Sequence, residues 1–160
     1  MNQPVTITLS DRVIICDPTY GLQQSKDLNI LPGTYLIMAP FKPLESGEYQ
    51  DGSVIKWQEV ITHLTLIHSS CFPDQLPMME EAGEFDMDSG LAGVFDASLW
   101  DMGIRQAVSL EFSNGHAGHS RWGLLDCGRG VVIESGDREG SCLLNVGYRG
   151  NLVVAMDLVF

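Results

Sequence analysis

Short apolar segments separated by turn residues recur along the whole chain, and long stretches with the 3.6-residue repeat of an amphipathic helix are almost absent. Alternation of apolar and polar residues over a few positions is typical of a half-buried strand, and a short continuous apolar run is typical of a strand buried on both faces. The pattern predicts strands at 5–9, 12–16, 34–38, 53–68, 107–112, 122–125, 130–134, 141–146 and 152–160.

Two short helices are predicted between these strands. Segment 74–82 begins at Asp74 as an N-cap, and segment 96–102 begins at Asp96 as a second N-cap. Residues 40–52 hold two prolines and two glycines among polar residues, so they are predicted to form a loop. The long segment 53–68 has two mixed faces, which favours a strand that passes from one packing environment to another.

The predicted fold class is mainly β. We expect a single domain over residues 1–160, built as an antiparallel β-sandwich or open barrel with one or two short helices. A chain of 160 residues can bury its own core, and no composition shift or repeat marks a second domain. The apolar segment 156–160 favours an ordered central strand, because a frayed tail would leave apolar side chains in water.

Negative charge is concentrated in the middle of the chain. The formal net charge is −12, and residues 57–101 carry nine carboxylates and no Lys or Arg. The basic residues are scattered singly, which argues against direct binding to nucleic acid because phosphate contacts need clustered Lys and Arg. An acidic surface can hold a cation, meet a basic partner or keep the domain soluble, and residue types alone leave these roles open.

The densest acidic segment is 84–96, where carboxylates alternate with apolar residues, break at a glycine and resume. An EF-hand is excluded, because the twelfth position counted from Asp86 is Ala97 where that motif needs Glu. The simplest interpretation is a strand with Phe85 and Met87 buried and its acids in water, so no metal ligands are predicted. The predicted binding face consists of Glu80, Glu81, Glu84, Asp86, Asp88, Asp96 and Asp101.

The leading functional hypothesis is a non-enzymatic binding or inhibitor module whose acidic face engages a basic protein partner. Such a module would be a host-interaction protein of a phage or mobile element, or an immunity-type protein. The sequence contains no serine-hydrolase elbow, zinc-protease or kinase motif.

Two alternatives stay open. A hydrolase or cyclic-nucleotide-processing enzyme would assemble a carboxylate site from Asp17, Asp88 and Asp96, because these acids flank turns where strand ends can converge. A small-ligand-sequestering β-barrel would line its mouth with aromatic residues, although core packing is the simpler role for them. The candidate lining residues are Tyr20, Trp57, Trp100 and Trp122.

Histidines and cysteines are expected to be structural. His116 and His119 lie in a glycine-rich segment, which favours a flexible exposed turn over a metal-ligand pair. His63 and His68 bound an apolar stretch, where hydrogen-bonded structural roles are typical. The four cysteines show no Cys-x-x-Cys pair and read as buried free thiols of a cytoplasmic protein. No cofactor, transmembrane segment or secretory signal is predicted.

Four short motifs span most of the chain. They are Cys-Asp-Pro-Thr-Tyr at 16–20, Leu-Pro-Gly-Thr-Tyr at 31–35, Asp-Ser-Gly-Leu-Ala-Gly-Val-Phe-Asp at 88–96 and Glu-Ser-Gly-Asp-Arg-Glu-Gly-Ser at 134–141. Together they resemble a loosely defined family of small, uncharacterised bacterial and phage proteins with Cys-Asp-Pro-x-Tyr and Asp-Ser-Gly-x-x-Gly-x-Phe-Asp motifs. The resemblance implies a compact β-rich cytosolic domain and brings no established activity. The chain departs from the family pattern at 137–140, which carries extra charge, and at Cys142, where the family has an aromatic residue.

Deletion of residues 156–160 tests the placement of the last strand. Removing a central strand would expose the apolar core, so the truncated protein is expected to be unfolded or insoluble. Solubility after expression and a thermal melt of the soluble fraction measure this. A truncated chain that stayed soluble with an unchanged melting temperature would contradict the placement.

Overall fold

The computed structural model describes residues 5–17, 25–38, 41–45, 57–61, 63–72, 74–87, 91–100, 121–124, 129–134 and 141–160. These ranges contain thirteen strands, the short helix α1 (Ala97–Trp100) and a single 3-10 turn (Ser69–Cys71). In chain order the strands are β1 (Val5–Leu9), β2 (Arg12–Cys16), β3 (Lys26–Asn29), β4 (Gly33–Met38), β5 (Phe41–Glu45), β6 (Trp57–Ile61), β7 (His63–His68), β8 (Met79–Asp86), β9 (Leu91–Asp96), β10 (Arg121–Leu124), β11 (Gly130–Glu134), β12 (Ser141–Arg149) and β13 (Leu152–Val159).

The described strands form two large antiparallel sheets and a separate pair. The six-stranded sheet has the order β1-β4-β7-β13-β12-β8, and the five-stranded sheet has the order β10-β11-β9-β2-β3. Strands β5 and β6 pair with each other. The prediction of a mainly β, antiparallel fold is therefore confirmed.

The hydrophobic core lies between the two large sheets. Leu64, Leu144 and Met156 from the six-stranded sheet join Val13 and Val94 from the five-stranded sheet in one buried cluster. A sheet with one apolar face needs a second layer to cover that face, and here each sheet covers the other. In each sheet the first and last of the described strands are different and do not pair with each other, so neither sheet closes into a barrel. Of the two predicted architectures, the arrangement therefore fits an open sandwich.

Strand β13 occupies the middle of the six-stranded sheet, between β7 and β12, which confirms the predicted central strand. Between β3 and β4 the chain passes from the five-stranded sheet to the six-stranded sheet, and this connection runs beside β13. The Leu31 N–H donates to the Val153 carbonyl at 2.9 Å, and the Tyr35 hydroxyl donates to the Leu31 carbonyl at 2.7 Å, with the Val153 carbonyl 3.2 Å away. Burial raises the pKa of Tyr35, so its hydroxyl remains a neutral donor at physiological pH.

The helix predicted at 74–82 was wrong. Residues 74–78 have no regular structure apart from a turn at Asp74, and β8 begins at Met79. Met, Glu and Ala favour helices in isolation, but propensity is a weak preference that pairing with a neighbouring strand overrides. The predicted helix at Asp96 is confirmed in its first turn, α1, and the rest of it lies outside the described residues.

Other local predictions had mixed outcomes. Strand β5 lies inside the predicted loop 40–52, and β3, which has a single apolar residue, was not predicted. The single long strand predicted at 53–68 is replaced by two strands in different sheets, β6 and β7, and residues 53–56 and 62 lie outside the described residues. The predicted strand at 107–112 falls outside the described residues.

Cys16, Cys71 and Cys142 are buried and form no disulfide, as predicted, and Cys127 lies outside the described residues. Within the described ranges, no helix has the length and apolar character that crossing a bilayer requires.

Candidate functional site

Strand β8 is an end strand of the six-stranded sheet, and β12 is its one neighbouring strand in the described part of the chain. Phe85 lies opposite Cys142, and both are buried in the core. Glu84 and Asp86, on either side of Phe85, are exposed, because successive residues of a strand point to opposite faces. The predicted strand with Phe85 and Met87 buried and its acids in water is confirmed over these residues.

The exposed carboxylates of β8, called the acidic edge below, are Glu80, Glu81, Glu84 and Asp86. Glu81 and Glu84 lie opposite Asn145 and Leu143, which are two residues apart on β12, so about 7 Å separates their positions along the sheet. Arg12 and Asp27 form an ion pair, and Nδ1 of His63 lies 3.4 Å from the Asp157 carboxylate, a contact that is ionic only when the imidazole is protonated. Neither pair uses Glu80, Glu81 or Glu84, so their negative charges face solvent without an ion-pair partner in the described ranges.

Strand β8 is irregular in its middle. The register with β12 shifts between Leu144 and Asn145, and Gly83 adopts a φ of +130°, a conformation that favours glycine. A Cβ at Gly83 would lie 3.0 Å from Nζ of Lys26, which places that amine on the core-facing side of β8. The bulge twists the free edge, and such features are typical of edge strands that avoid pairing with copies of themselves.

A polar row continues from the acidic edge across the outer face of the sheet. Register places Glu81, Asn145, Asp157 and Thr65 side by side on four consecutive strands. The Thr65 hydroxyl donates to the Asp157 carboxylate at 2.8 Å, and Nδ1 of His63 lies 3.4 Å from both carboxylate oxygens. His63 is thus a hydrogen-bonded residue of the sheet surface, in agreement with the structural role predicted for it.

A group of exposed apolar side chains lies at the start of β8. Four of the seven large apolar residues that are exposed in the described ranges occur here, and Met78 is the most exposed at 92%. Isolated exposed apolar residues are ordinary, but a concentration of them marks an interaction surface. This group, called the apolar platform below, consists of Phe72, Leu76, Met78 and Met79.

Arg149 holds the platform segment against the end of β12. Its guanidinium donates to the Ser70 hydroxyl at 2.8 Å, to Sγ of Cys71 at 3.3 Å and to the side-chain carbonyl of Gln75 at 3.4 Å. Close packing adds to this anchor, because a Cβ at Gly147 would lie only 2.5 Å from Pro77. The exposed apolar residues therefore project from a segment fixed to the sheet.

Asp96 does not belong to the exposed acidic face, because it is only 1% exposed. Its carboxylate accepts hydrogen bonds from the N–H and hydroxyl of Ser10, both at 2.8 Å, and from the N–H and hydroxyl of Ser98 at 3.0 and 2.9 Å. Burial raises the pKa of Asp96, but these hydrogen bonds together outweigh burial and hold the pKa below its ordinary value. Asp96 thus caps α1 and ties it to the turn between β1 and β2.

The described residues do not support the three-carboxylate site. Asp17 is buried and follows Cys16, which pairs with Gly93, whereas Asp96 pairs with Val13. The two carboxylates therefore lie at opposite ends of the β2–β9 pair, roughly 13 Å apart along the strand. No group of three or more His, Cys, Asp or Glu residues that could hold a metal ion is found within the described ranges.

Several predicted site residues fall outside the described part of the chain. These are Asp88, Asp101, His116, His119 and Tyr20, together with the side chains of Trp57, Trp100 and Trp122. The predicted ligand-lining role of the aromatic residues therefore stays a prediction.

The buried side chains of Cys142 and His68 are suited to structural roles. Burial raises the pKa of Cys142 to about 12, so this thiol is protonated and poorly nucleophilic at neutral pH. The Ser70 N–H donates to Nδ1 of His68 at 3.1 Å, which leaves Nε2 to donate to the Pro32 carbonyl at 3.0 Å. His68 therefore has the structural role predicted for it.

Comparisons of the chain with protein-family models, with curated proteins and with solved structures gave no match. The resemblance to the small bacterial and phage family stays a prediction.

Sequence reasoning missed the apolar platform and the polar row. The platform was missed because residues 74–82 were predicted to form a helix, and the exposure of the consecutive apolar residues Met78 and Met79 was not considered. The row had a visible signal, since Asp157 interrupts the apolar segment of β13 and a lone acid in a buried strand usually turns to the outer face.

The variant Asp96→Asn tests the structural role of this carboxylate. Losing charge-assisted hydrogen bonds to Ser10 and Ser98 is expected to lower the free energy of unfolding by about 2 kcal/mol at neutral pH. Because the folded-state pKa of Asp96 lies below the unfolded value near 3.9, its contribution is present above that pH and is lost as the pH falls below about 4. Urea unfolding at several pH values measures both effects.

The control for Asp96→Asn is Asp27→Asn, since Asp27 is half-exposed in a surface ion pair with Arg12. This control is expected to change stability by less than about 1 kcal/mol. Equal stability losses in the two variants, or an acid-induced loss that is unchanged in Asp96→Asn, would contradict the assignment.

Proposed function

We propose that the protein is a non-enzymatic binding module that engages a basic protein partner through the acidic edge. The observation that carries the proposal is the placement of four exposed carboxylates on one end strand of a sheet, with no ion pair at Glu80, Glu81 or Glu84 in the described ranges. A concentrated field of one sign speeds encounter with a partner of opposite sign and excludes partners of like sign.

Support for binding over catalysis comes from the other carboxylates. Asp96 is fully engaged by Ser10 and Ser98, and Asp17 lies at the far end of the same strand pair. The roughly 13 Å between these two positions along the strand exceeds the roughly 5–9.5 Å that separates the carboxyl groups of a paired acid–base site. The carboxylates of the acidic edge, in contrast, are all exposed and lie on one end strand of the sheet that the described residues form. Host-interaction and immunity-type proteins are the classes in which we place such a module.

The carboxylates of an end strand can also have a simpler role than binding a partner. Charged residues and bulges on an end strand prevent edge-to-edge pairing between copies of a protein. That role would make the carboxylates interchangeable with other charges. A binding role makes their sign and position matter.

The double variant Glu81→Lys/Glu84→Lys tests the proposal. Both residues lie on the outer face of β8, so reversing them is expected to abolish capture of the partner without unfolding the protein. Immobilised protein is incubated with an extract of the cells that make it, at low and at high salt, and captured proteins are quantified by mass spectrometry. Partner capture by the original protein is expected to fall at high salt.

The matched control is Asp11→Lys/Asp27→Lys, which changes net charge by the same amount at exposed positions away from β8. This control is expected to keep the partner, and thermal melts check that both variants are folded. Capture that survives reversal at Glu81 and Glu84, or that disappears equally in the control, would overturn the proposal.

A further inference from the structure

We propose that the apolar platform and the acidic edge form one docking surface, which fits a partner segment that carries apolar side chains beside Lys or Arg. This inference rests on the proposed function and adds the chemistry of the partner. Charge alone predicts a polar, basic partner. The platform adds an apolar contact at one end of the charged strip.

Position supports a single surface. Met79 is the first residue of β8 and lies opposite Gly147, while Glu80 and Glu81 follow it directly along the strand. Met79 and Glu81, two residues apart, lie opposite Gly147 and Asn145 and therefore point to the same face of β8. The apolar and acidic parts thus meet on the outer face of β8.

Rigidity supports docking over random exposure. Arg149 bonds to Ser70, Cys71 and Gln75, so both the 3-10 turn before Phe72 and the residue before Leu76 are fixed to β12. A preorganised surface loses little conformational entropy when a partner binds, which raises affinity for a given contact area. Exposed methionine also adapts its shape to different apolar partners, and this makes Met78 a suitable contact residue.

Charge complementarity selects the occupant. The centre of a stable interface is apolar and its rim is polar, and here the rim on the β8 side is made of carboxylates. A second copy of this chain would bring its own acidic edge towards the first, so self-association at this surface is opposed by repulsion. A segment with apolar and basic side chains satisfies both parts of the surface.

Two eight-residue peptides probe the surface without knowledge of the natural partner. The first has three Lys residues at alternate positions followed by Leu, Phe and Leu. The second has the same Lys residues with Ser in place of each apolar residue. Binding to the full chain is measured by fluorescence anisotropy at low salt, and amide chemical shifts map the contacted residues.

The first peptide is expected to bind at least about tenfold more tightly than the second, which corresponds to about 1.4 kcal/mol. The variant Met78→Ser/Met79→Ser is expected to remove that advantage and leave binding of the second peptide unchanged. Met38→Ser, a comparably exposed methionine on β4 that lies outside the platform, serves as the control and is expected to keep the advantage.

The outcomes separate the two proposals. Equal affinity for both peptides, with shifts on β8, would overturn the apolar docking surface and leave the acidic edge as the binding site. Absence of shifts on β8 with either peptide would overturn the proposed function as well. Sedimentation velocity that shows a dimer lost in Met78→Ser/Met79→Ser would assign the platform to a second copy of this chain and would also overturn the inference.

Discussion

The register of β8 against β12 is the constraint on which the surface of this molecule depends. Phe85 opposite Cys142 turns Glu84 and Asp86 outward, and a slip of one residue would exchange the two sets. Burying carboxylates in an apolar core is far more costly than burying Phe, so the core itself holds the acids on the outer face. The position of β8 at the end of the sheet then leaves them open to solvent.

A second set of contacts connects the two sheets away from β8. Asp96 uses its carboxylate to join the β1–β2 turn to α1, and Leu31 and Tyr35 bond to Val153 where the chain crosses beside β13. These contacts use polar groups inside the fold. Consequently the acids of the chain divide by environment. Asp96 is structural and buried, whereas the carboxylates of the acidic edge are exposed on the outer strand of the described sheet.

Much of the fold could be predicted from local pattern. Alternation and short apolar runs located β1, β2, β4, β11 and β13 closely, because each of these strands has the apolar content of a buried strand. Strand β3 and the start of β8 were not predicted as strands, because their residue types favour loops and helices. Pairing with strands distant in the sequence makes these segments extended. The sequence predicted Asp96 both as a helix N-cap and as part of the acidic surface. Its burial, which decides between these roles, arises from the fold through hydrogen bonds from the distant Ser10.

Cross-strand nuclear Overhauser effects between β8 and β12 test the central claim most directly. The account predicts backbone contacts that pair Glu84 with Leu143 and Glu81 with Asn145, together with contacts from the Phe85 ring to core methyl groups. A register displaced by one residue, or a Phe85 ring without core contacts, would contradict it. In that case Glu81, Glu84 and Asp86 would no longer point to the outer face of the sheet, and the docking surface would lose its basis.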